Sequence, residues 1–511
     1  MAFVLRRKPD LSAKHSAYPY QLDAIRAVKD RKYAAIFHEQ GLGKTKIALD
    51  LALLWLESDD VDTVFIVTKK ALVENWRNEI AAHSHITPHV LAGNRAHNSA
   101  SLNSPVLMYV TNYEVLASNS ATIRLFLKTC RVGCILDESQ KIKNPKATLT
   151  QFYLELAPSF ERRIIMTGTP AANRPYDIWA QIKFLDHGAA LGDSFDKFKE
   201  AMDFPASNSK SLVHSDRTAD AHHCPSDQAV STVMDYGDRL AGVFDRLRSF
   251  TVRETKDTAG IHLPEKTVMT CRVDLPDWQM TKYSAYRDEL AYEFRVDGSL
   301  QIDDADSILK RMLRLVQCAS NPGLIDGCFD RDPGKFPLLL DMCHEFTCDS
   351  KMIIWTGFVE NVNWLAAKLS EFDPVCIHGN LPIHQRDDAV TRFTKSSNPI
   401  LIATPGAAKE GLTLTVANHA VFFDRSFSLD DYLQAQDRIH RISQTRKCYI
   451  HNLMANDTID DWVDILLTAK YHAAQLAQGD IKVDAFREAF HTDVAETLQA
   501  VLFPDRIAFQ H

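Results

Sequence analysis

Short apolar runs alternate with helix-like stretches in two separate series, and this rhythm constrains the chain more than any other feature. In the first half the strand candidates are Ala34–Phe37, Thr63–Val67, Val106–Val110, Val132–Leu136 and Arg163–Met166, with amphipathic stretches such as Lys46–Glu57 and Leu72–Ala82 between them. The second half repeats the rhythm with Met352–Thr356, Pro374–Ile377, Ile400–Ala403, Ala420–Phe423 and Cys448–Leu453. Strands separated by helices need crossover connections, so the expectation is α/β: two parallel sheets flanked by helices. In such sheets ligands gather at the carboxyl ends of the strands. Between the series, roughly 188–340, the rhythm breaks. That stretch holds a polar segment, 205–231, expected to be an exposed, mobile insertion, and helical periodicity returns at Val243–Val252 and Ser307–Cys318.

Composition excludes several classes. With 45% hydrophobic and 24% charged residues over 511 positions, the chain is neither disordered nor fibrous. No apolar run approaches the ~20 residues of a membrane span. The start, Met1-Ala2-Phe3-Val4-Leu5-Arg6-Arg7, lacks the order of a secretory signal. The ten cysteines are scattered without a CxxC pair and read as reduced thiols. The expected location is therefore cytoplasmic or otherwise intracellular, nucleoid-associated or viral, with no membrane partner. A net charge of −8 makes a wholly basic coat protein improbable, although a local basic groove on an acidic body stays compatible with it.

Chemistry is most legible after the first strand, at His38-Glu39-Gln40-Gly41-Leu42-Gly43-Lys44-Thr45. A strand, a tight glycine turn and a helix N-terminus make a nest of backbone N–H groups suited to phosphate. Gly41, Leu42 and Gly43 would supply the cradle, Lys44 a charge for the β- and γ-phosphates, and the Thr45 hydroxyl a ligand for Mg²⁺. His38 stands where the full Walker A pattern has glycine. The bland alternative is a structural strand-to-helix turn. A second apolar strand ends in Asp137-Glu138-Ser139-Gln140. Asp137 would hold Mg²⁺, and Glu138 would orient and deprotonate an attacking water. On its own such an ending is as often a solvated strand end.

Further blocks come in order: Tyr18-Pro19-Tyr20-Gln21, Lys141-Ile142-Lys143-Asn144 directly after the Asp-Glu box, Thr167-Gly168-Thr169-Pro170, Gly411-Leu412-Thr413-Leu414-Thr415, and Gln434 through Gln444 reading QAQDRIHRISQ. Together these resemble the Snf2 family of superfamily 2 helicase-like ATPases over Tyr18 to Trp462, closest to compact annealing-helicase-like, prokaryotic or viral members. The resemblance implies two tandem RecA-like lobes with helical insertions near their junction. It places lobe 1 at 1–187, insertions at 188–340, lobe 2 at 341–465 and a helical extension at 466–511. It also implies ATP with Mg²⁺ as cofactors, Gln21 at the adenine edge, Gly411 and Gln434 near the nucleotide, and Gln140 as a link to Thr167–Pro170. Departures are Ser139-Gln140 for Ala-His, Ala408-Lys409 for Gly-Gly and Ser443 for Gly; none removes a catalytic group.

If Leu429–Ile442 is helical, Gln434, Asp437, Arg438 and Arg441 share a face, and Arg438 and Arg441 can serve as arginine fingers. A salt-bridged surface helix is the bland alternative. Candidate DNA-backbone contacts, at loop positions matching the family's motifs, are Thr68, Lys69, Trp76, Thr111, Asn112, Tyr113, Lys143, Asn144, Thr356, Gly379 and Thr404. Such groups suit phosphates and carry no base information. The expected activity is an ATPase stimulated mainly by duplex DNA, translocating on it. The alternatives are a strand-separating or annealing helicase acting on forked DNA or RNA, a nucleotide-holding protein without turnover, and a motor subunit with protein partners. His222-His223-Cys224 lacks a spaced second pair of ligands and is not expected to bind zinc.

Overall fold

A computed structural model describes residues 9–92, 94–104, 106–171, 173–202, 227–296, 305–408 and 412–489. The chain divides into two units. The first holds 1–203, 239–262 and 474–480, and the second holds 204–238, 263–473 and 481–511.

The first unit is built on a sheet of seven strands: β1 Tyr33–Ile36, β2 Thr63–Thr68, β3 His89–Val90, β4 Met108–Asn112, β5 Val132–Asp137, β6 Arg162–Met166 and β7 Thr251–Val252. Their order is β3-β4-β2-β5-β6-β1-β7, and every pairing is parallel. The central strands are apolar throughout because both sheet faces are covered; β2 and β5 are buried at every position. The helix Lys44–Glu57 buries Ile47, Ala48, Leu51, Ala52 and Trp55 against the sheet. Gly133 in β5 makes room for it, since a Cβ there would lie 2.9 Å from the Trp55 ring. Each large side chain buried this way stabilises the layer by about 1.5–3 kcal/mol.

The second unit has β8 Lys266–Val273, β9 Lys351–Trp355, β10 Val375–Ile377, β11 Ile400–Ala403, β12 Ala417–Phe422 and β13 Cys448–Ala455, ordered β10-β11-β9-β12-β13-β8 and again all parallel. One face packs Trp355, Ile377, Phe393 and Ile450, the other Leu339, Ile354, Leu365 and Phe423.

All the strand candidates of both series appear, displaced by three residues at most, and the α/β expectation with two parallel sheets holds. Three short or edge strands escape sequence reading. β8 alternates exposed and half-buried residues, so it lacks the apolar run that marks an interior strand. The expected helix Val243–Val252 needs correction: helix Asp227–Leu247 ends there, and β-branched Thr251 and Val252 pair with Ala35 and Ile36. The stretch 188–340 thus contributes β7 to one sheet and β8 to the other. Of the polar segment 205–231, residues 205–226 lie outside the described residues, as do His222, His223 and Cys224.

Candidate nucleotide-binding site

Three neighbouring strands bring the sequence motifs of the first unit to one end of its sheet. Asp137 is in register with Met166, and Met166 with Ile36. The Asp-Glu pair, Thr167–Pro170 and the glycine loop therefore leave the sheet side by side.

The loop after β1 turns on two glycines in the left-handed region, Gly41 at φ 87° and Gly43 at φ 67°, before the helix begins at Lys44. Lys44 is buried and curls back to donate to the carbonyls of His38 at 3.0 Å and Glu39 at 3.2 Å. Burial pushes the His38 imidazole down to about 4, with the Lys44 charge adding to the shift, so its ring is neutral at pH 7. Gln21 is buried against this loop: its amide donates to the Leu42 carbonyl at 3.1 Å and its oxygen accepts the Tyr18 N–H at 2.9 Å. Any Cβ at Gly43 would collide with that amide. Gly168 is likewise reserved for a neighbour, since its Cβ position is filled by the Gln40 side chain at 2.8–2.9 Å.

Asp137 is buried at the end of β5, where its Oδ2 accepts from Thr68 at 2.9 Å and from the Trp76 indole at 2.8 Å, and its carbonyl accepts from Tyr113 at 2.8 Å. Burial raises its pKa above the usual carboxylate range and the Glu138 charge adds to this. The Trp76 and Thr68 hydrogen bonds and Lys44 oppose it. Lys44 and Asp137 are thus electrostatic neighbours. Glu138 occupies the left-handed region at φ 54°, ψ 51°, a strained backbone for a residue of this size. Its carboxylate accepts from Gln140 and faces Lys69 at 3.6 Å.

Do these residues suit Mg²⁺? No group of three or more His, Cys, Asp or Glu side chains among the described residues is arranged to hold a metal. Mg²⁺ keeps several waters and takes one or two protein oxygens plus phosphate. Thr45 at the helix start and Asp137, whose hydrogen bonds both fall on Oδ2, fit that sparse donor set.

The structure differs from the sequence reading on Gln140. Its amide goes to Glu138, and the bridge to Thr167–Pro170 runs through its neighbour. Ser139 donates to Gln181 Oε1 at 2.7 Å, and the Gln181 amide donates to the Pro170 carbonyl at 2.9 Å. Sequence reading missed Gln181, which lies on the helix Trp179–Asp186 without a local motif to mark it. It also missed the segment Arg253–Lys256 as a wall of this site. There Lys256 pairs with Glu39 at 3.1 Å, and the Arg253 guanidinium donates to the carbonyls of Phe37 and Gly168.

In the second unit the expected helix Leu429–Ile442 stops at Gln436. The carbonyls that would continue it are taken by other donors: Asp437 by Arg441 Nε, Arg438 by the Leu414 N–H, and Ile439 by the Gln444 amide. Gln434, Asp437, Arg438 and Arg441 therefore do not line one continuous helical face. Gln434 is buried and donates to Asp430 within the helix. Arg438 is buried and reaches the Leu412 carbonyl at 3.3 Å, whereas Arg441 is half-buried and donates to Thr413 Oγ1 at 3.1 Å. Gly411 lies outside the described residues, as does Lys409. A second buried carboxylate, Asp424, ties this unit together. Ser320, Thr356 and Asn361 donate to its Oδ2 and the Gly357 N–H to its Oδ1.

The candidate DNA contacts separate into two groups. Thr68, Trp76 and Tyr113 point inward to Asp137; Thr111 is buried against the Leu91 carbonyl, and Thr356 is bound to Asp424. These five are corrected to interior positions, because a buried hydroxyl, phenol or indole needs a hydrogen-bond partner, and the Asp137 and Asp424 carboxylates and the Asp137 and Leu91 carbonyls supply it. Asn112 caps a helix through the Val115 N–H, and Thr404 is buried. Lys69 and Lys143 are partly exposed, Lys143 paired with Asp177 at 3.0 Å, while Asn144 and Gly379 are exposed. Among the described residues no helix is long and apolar enough to cross a membrane.

Comparison with known proteins gives two family matches, the SNF2-related domain over residues 25–324 and the helicase conserved C-terminal domain over 334–443. An uncharacterized ATP-dependent helicase of Mycoplasma pneumoniae is 25% identical over 479 residues, covering 89% of this chain and 42% of the relative. The chromodomain-helicase-DNA-binding protein 1-like of Danio rerio is 25% identical over 473 residues, covering 87% and 42%. The chain spans about two fifths of the length of these curated relatives. The solved SWI2/SNF2 ATPase core of Sulfolobus solfataricus in complex with dsDNA is 23% identical with a TM-score of 0.41, covering 98% of this chain and 99% of that one. Because the SNF2-related match alone takes in more than half of the sequence and the helicase C-terminal match follows it directly, the chain belongs to the SNF2-related family of ATP-dependent helicases and carries that family's ATPase core.

Proposed function

We propose that this chain hydrolyses ATP in order to move along DNA, mainly duplex, gripping the phosphate backbone with little regard to sequence. The observation that carries the reading is the junction of β5, β6 and β1, where Lys44, Asp137 and Glu138 meet beside a two-glycine nest. A triphosphate would take the loop N–H groups, and the Lys44 ammonium would leave the His38 and Glu39 carbonyls for phosphate oxygens. Gln21, held against Leu42 and Gly43, would meet the base. Thr45 and Asp137 would hold Mg²⁺, which when bound neutralises developing phosphate charge. Glu138 would orient water and accept its proton, with Lys69 and Gln140 fixing the carboxylate. Arg441 is the better placed of the two arginines for a finger role, being half-buried where Arg438 is enclosed.

For the DNA part, support comes from a relative whose name includes DNA-binding and from the accessible cations and amides at Lys69, Lys143 and Asn144. Phosphate contacts of this kind make binding fall steeply with salt. The test is ATP turnover with single-stranded DNA, duplex DNA, forked DNA and RNA, each at two salt concentrations, for the wild type and Lys44→Ala. Duplex-stimulated, salt-sensitive turnover that Lys44→Ala abolishes is the expected result. Turnover retained without Lys44 refutes the site, and stimulation by RNA or forks alone refutes the duplex track.

A further inference from the structure

The segment 474–480 follows the helicase C-terminal match by some thirty residues of sequence, yet it belongs to the first unit. The helix Ile459–Ala477 ends there in a Schellman turn. Gly479, at φ 77°, donates to the Leu476 carbonyl at 3.1 Å, and Asp480 donates to the Gln475 carbonyl at 2.9 Å. Gly479 is fixed from outside too: a Cβ on it would lie 2.7–2.8 Å from the Phe244 ring. This geometry presents the Asp480 carboxylate to Arg253 in a two-pronged pair, Nε to Oδ1 at 2.9 Å and Nη2 to Oδ2 at 2.5 Å, with both side chains largely buried.

The remaining guanidinium nitrogen, Nη1, is the one that donates to the carbonyl of Phe37 and, at 3.4 Å, to that of Gly168. Phe37 directly precedes His38 and Glu39, whose carbonyls hold Lys44, and Gly168 is packed against Gln40 of the same loop. The backbone agrees with the side chains, since Phe37 and Glu39 donate to the carbonyls of Val252 and Glu254. A bidentate carboxylate restricts a guanidinium to one plane, so Asp480 decides where Nη1 points.

We propose that Asp480 is a positioning residue for the nucleotide loop: through Arg253 it sets the start of the loop, so the C-terminal segment helps determine ATP affinity. This deepens the nucleotide reading above and rests on it. Asp480 touches no nucleotide, and its loss should loosen the loop without removing any phosphate ligand or proton acceptor.

The test compares ATP KM, kcat and melting temperature for full-length wild type, Asp480→Asn, Arg253→Lys and Lys482→Ala, the last an exposed neighbour. Asp480→Asn should raise KM about tenfold while changing kcat much less, as expected for uniform loss of binding, and its melting temperature should stay close to wild type. Arg253→Lys, which keeps a charge for Asp480 but forfeits the fork, should show the same KM rise, and Lys482→Ala none. Arg253→Lys also carries the test if Asp480→Asn yields no folded protein. An unchanged KM in the folded variants overturns the proposal, including when melting drops, because the pair is then only structural. Lys44→Ala in the same assay separates the two levels: if it binds ATP like wild type the nucleotide reading itself fails, whereas its loss alongside a normal Asp480→Asn sinks only the positioning role.

Discussion

Trp76 donates its indole N–H to Asp137 Oδ2 at 2.8 Å, joining residues 61 positions apart in the chain. A residue in a polar-faced helix is thereby a partner of the carboxylate assigned to the metal. Trp76→Phe keeps most of the apolar volume and removes the donor. Since a hydrogen bond to a charged group is worth about 1.5–3 kcal/mol, the acid limb of the ATPase pH profile should move up by roughly 1–2 pH units. Turnover measured from pH 5 to 8 checks this.

The sign for stability runs the other way. Burial, then Glu138, raise the Asp137 pKa, so the folded chain holds this proton more tightly than the unfolded one. Its contribution is fully present below the ordinary carboxylate value and is lost as pH rises through the raised value. Nucleotide-free protein should therefore gain from this group on mild acidification, and Asp137→Asn should flatten that part of the urea midpoint against pH.

Glu138→Gln should leave nucleotide affinity within a few-fold and lower turnover by ~10²–10⁴. Single-turnover hydrolysis beside fluorescent-nucleotide binding separates the two effects; equal losses in both would show that Glu138 serves binding.

Arg441→Ala should lower kcat by ~10³ or more with ATP KM near normal. Arg438→Ala should instead lower the melting temperature, because removing the buried guanidinium leaves a cavity and deprives the Leu412 carbonyl of its donor. The reverse pattern would exchange the two roles.

Asp424→Ala strands three buried donors, those of Ser320, Thr356 and Asn361, and also removes the acceptor of the exposed Gly357 N–H. At about 1–3 kcal/mol for each unsatisfied group, unfolding free energy should drop by at least ~3 kcal/mol in urea titrations, while the site in the first unit is left intact.

The strands and the phosphate loop were legible because they are written locally: apolar runs of a few residues, and glycines required at Gly41 and Gly43 by positive φ. The Asp137-Glu138 pair was legible for the same reason. Direction of side chains was not. Thr68, Trp76, Thr111 and Tyr113 sit where a DNA grip was expected, yet they turn inward, three of them to Asp137. Periodicity gives a residue's place along a strand or helix, but the partner its side chain turns to comes from another element, as Asp137 of β5 does for Thr68, Trp76 and Tyr113. Nor was Arg253 legible as a wall of the nucleotide loop. It meets Phe37 across 216 positions and Asp480 across 227, and an ion pair at such distance leaves no local pattern. The end of the helix at Gln436 was hidden likewise, since the competing donors come from Leu414 and Gln444.

The left-handed backbone at Glu138 carries a consequence for variation at that position. A conformation that disfavours any side chain by about 1–2 kcal/mol sets thermal tolerance against turnover, so Glu138→Gly should melt higher than the parent and yet be inert. Selection by heat alone, with no demand for work, would drift toward glycine there, and only a lineage that must spend triphosphate would keep the acid.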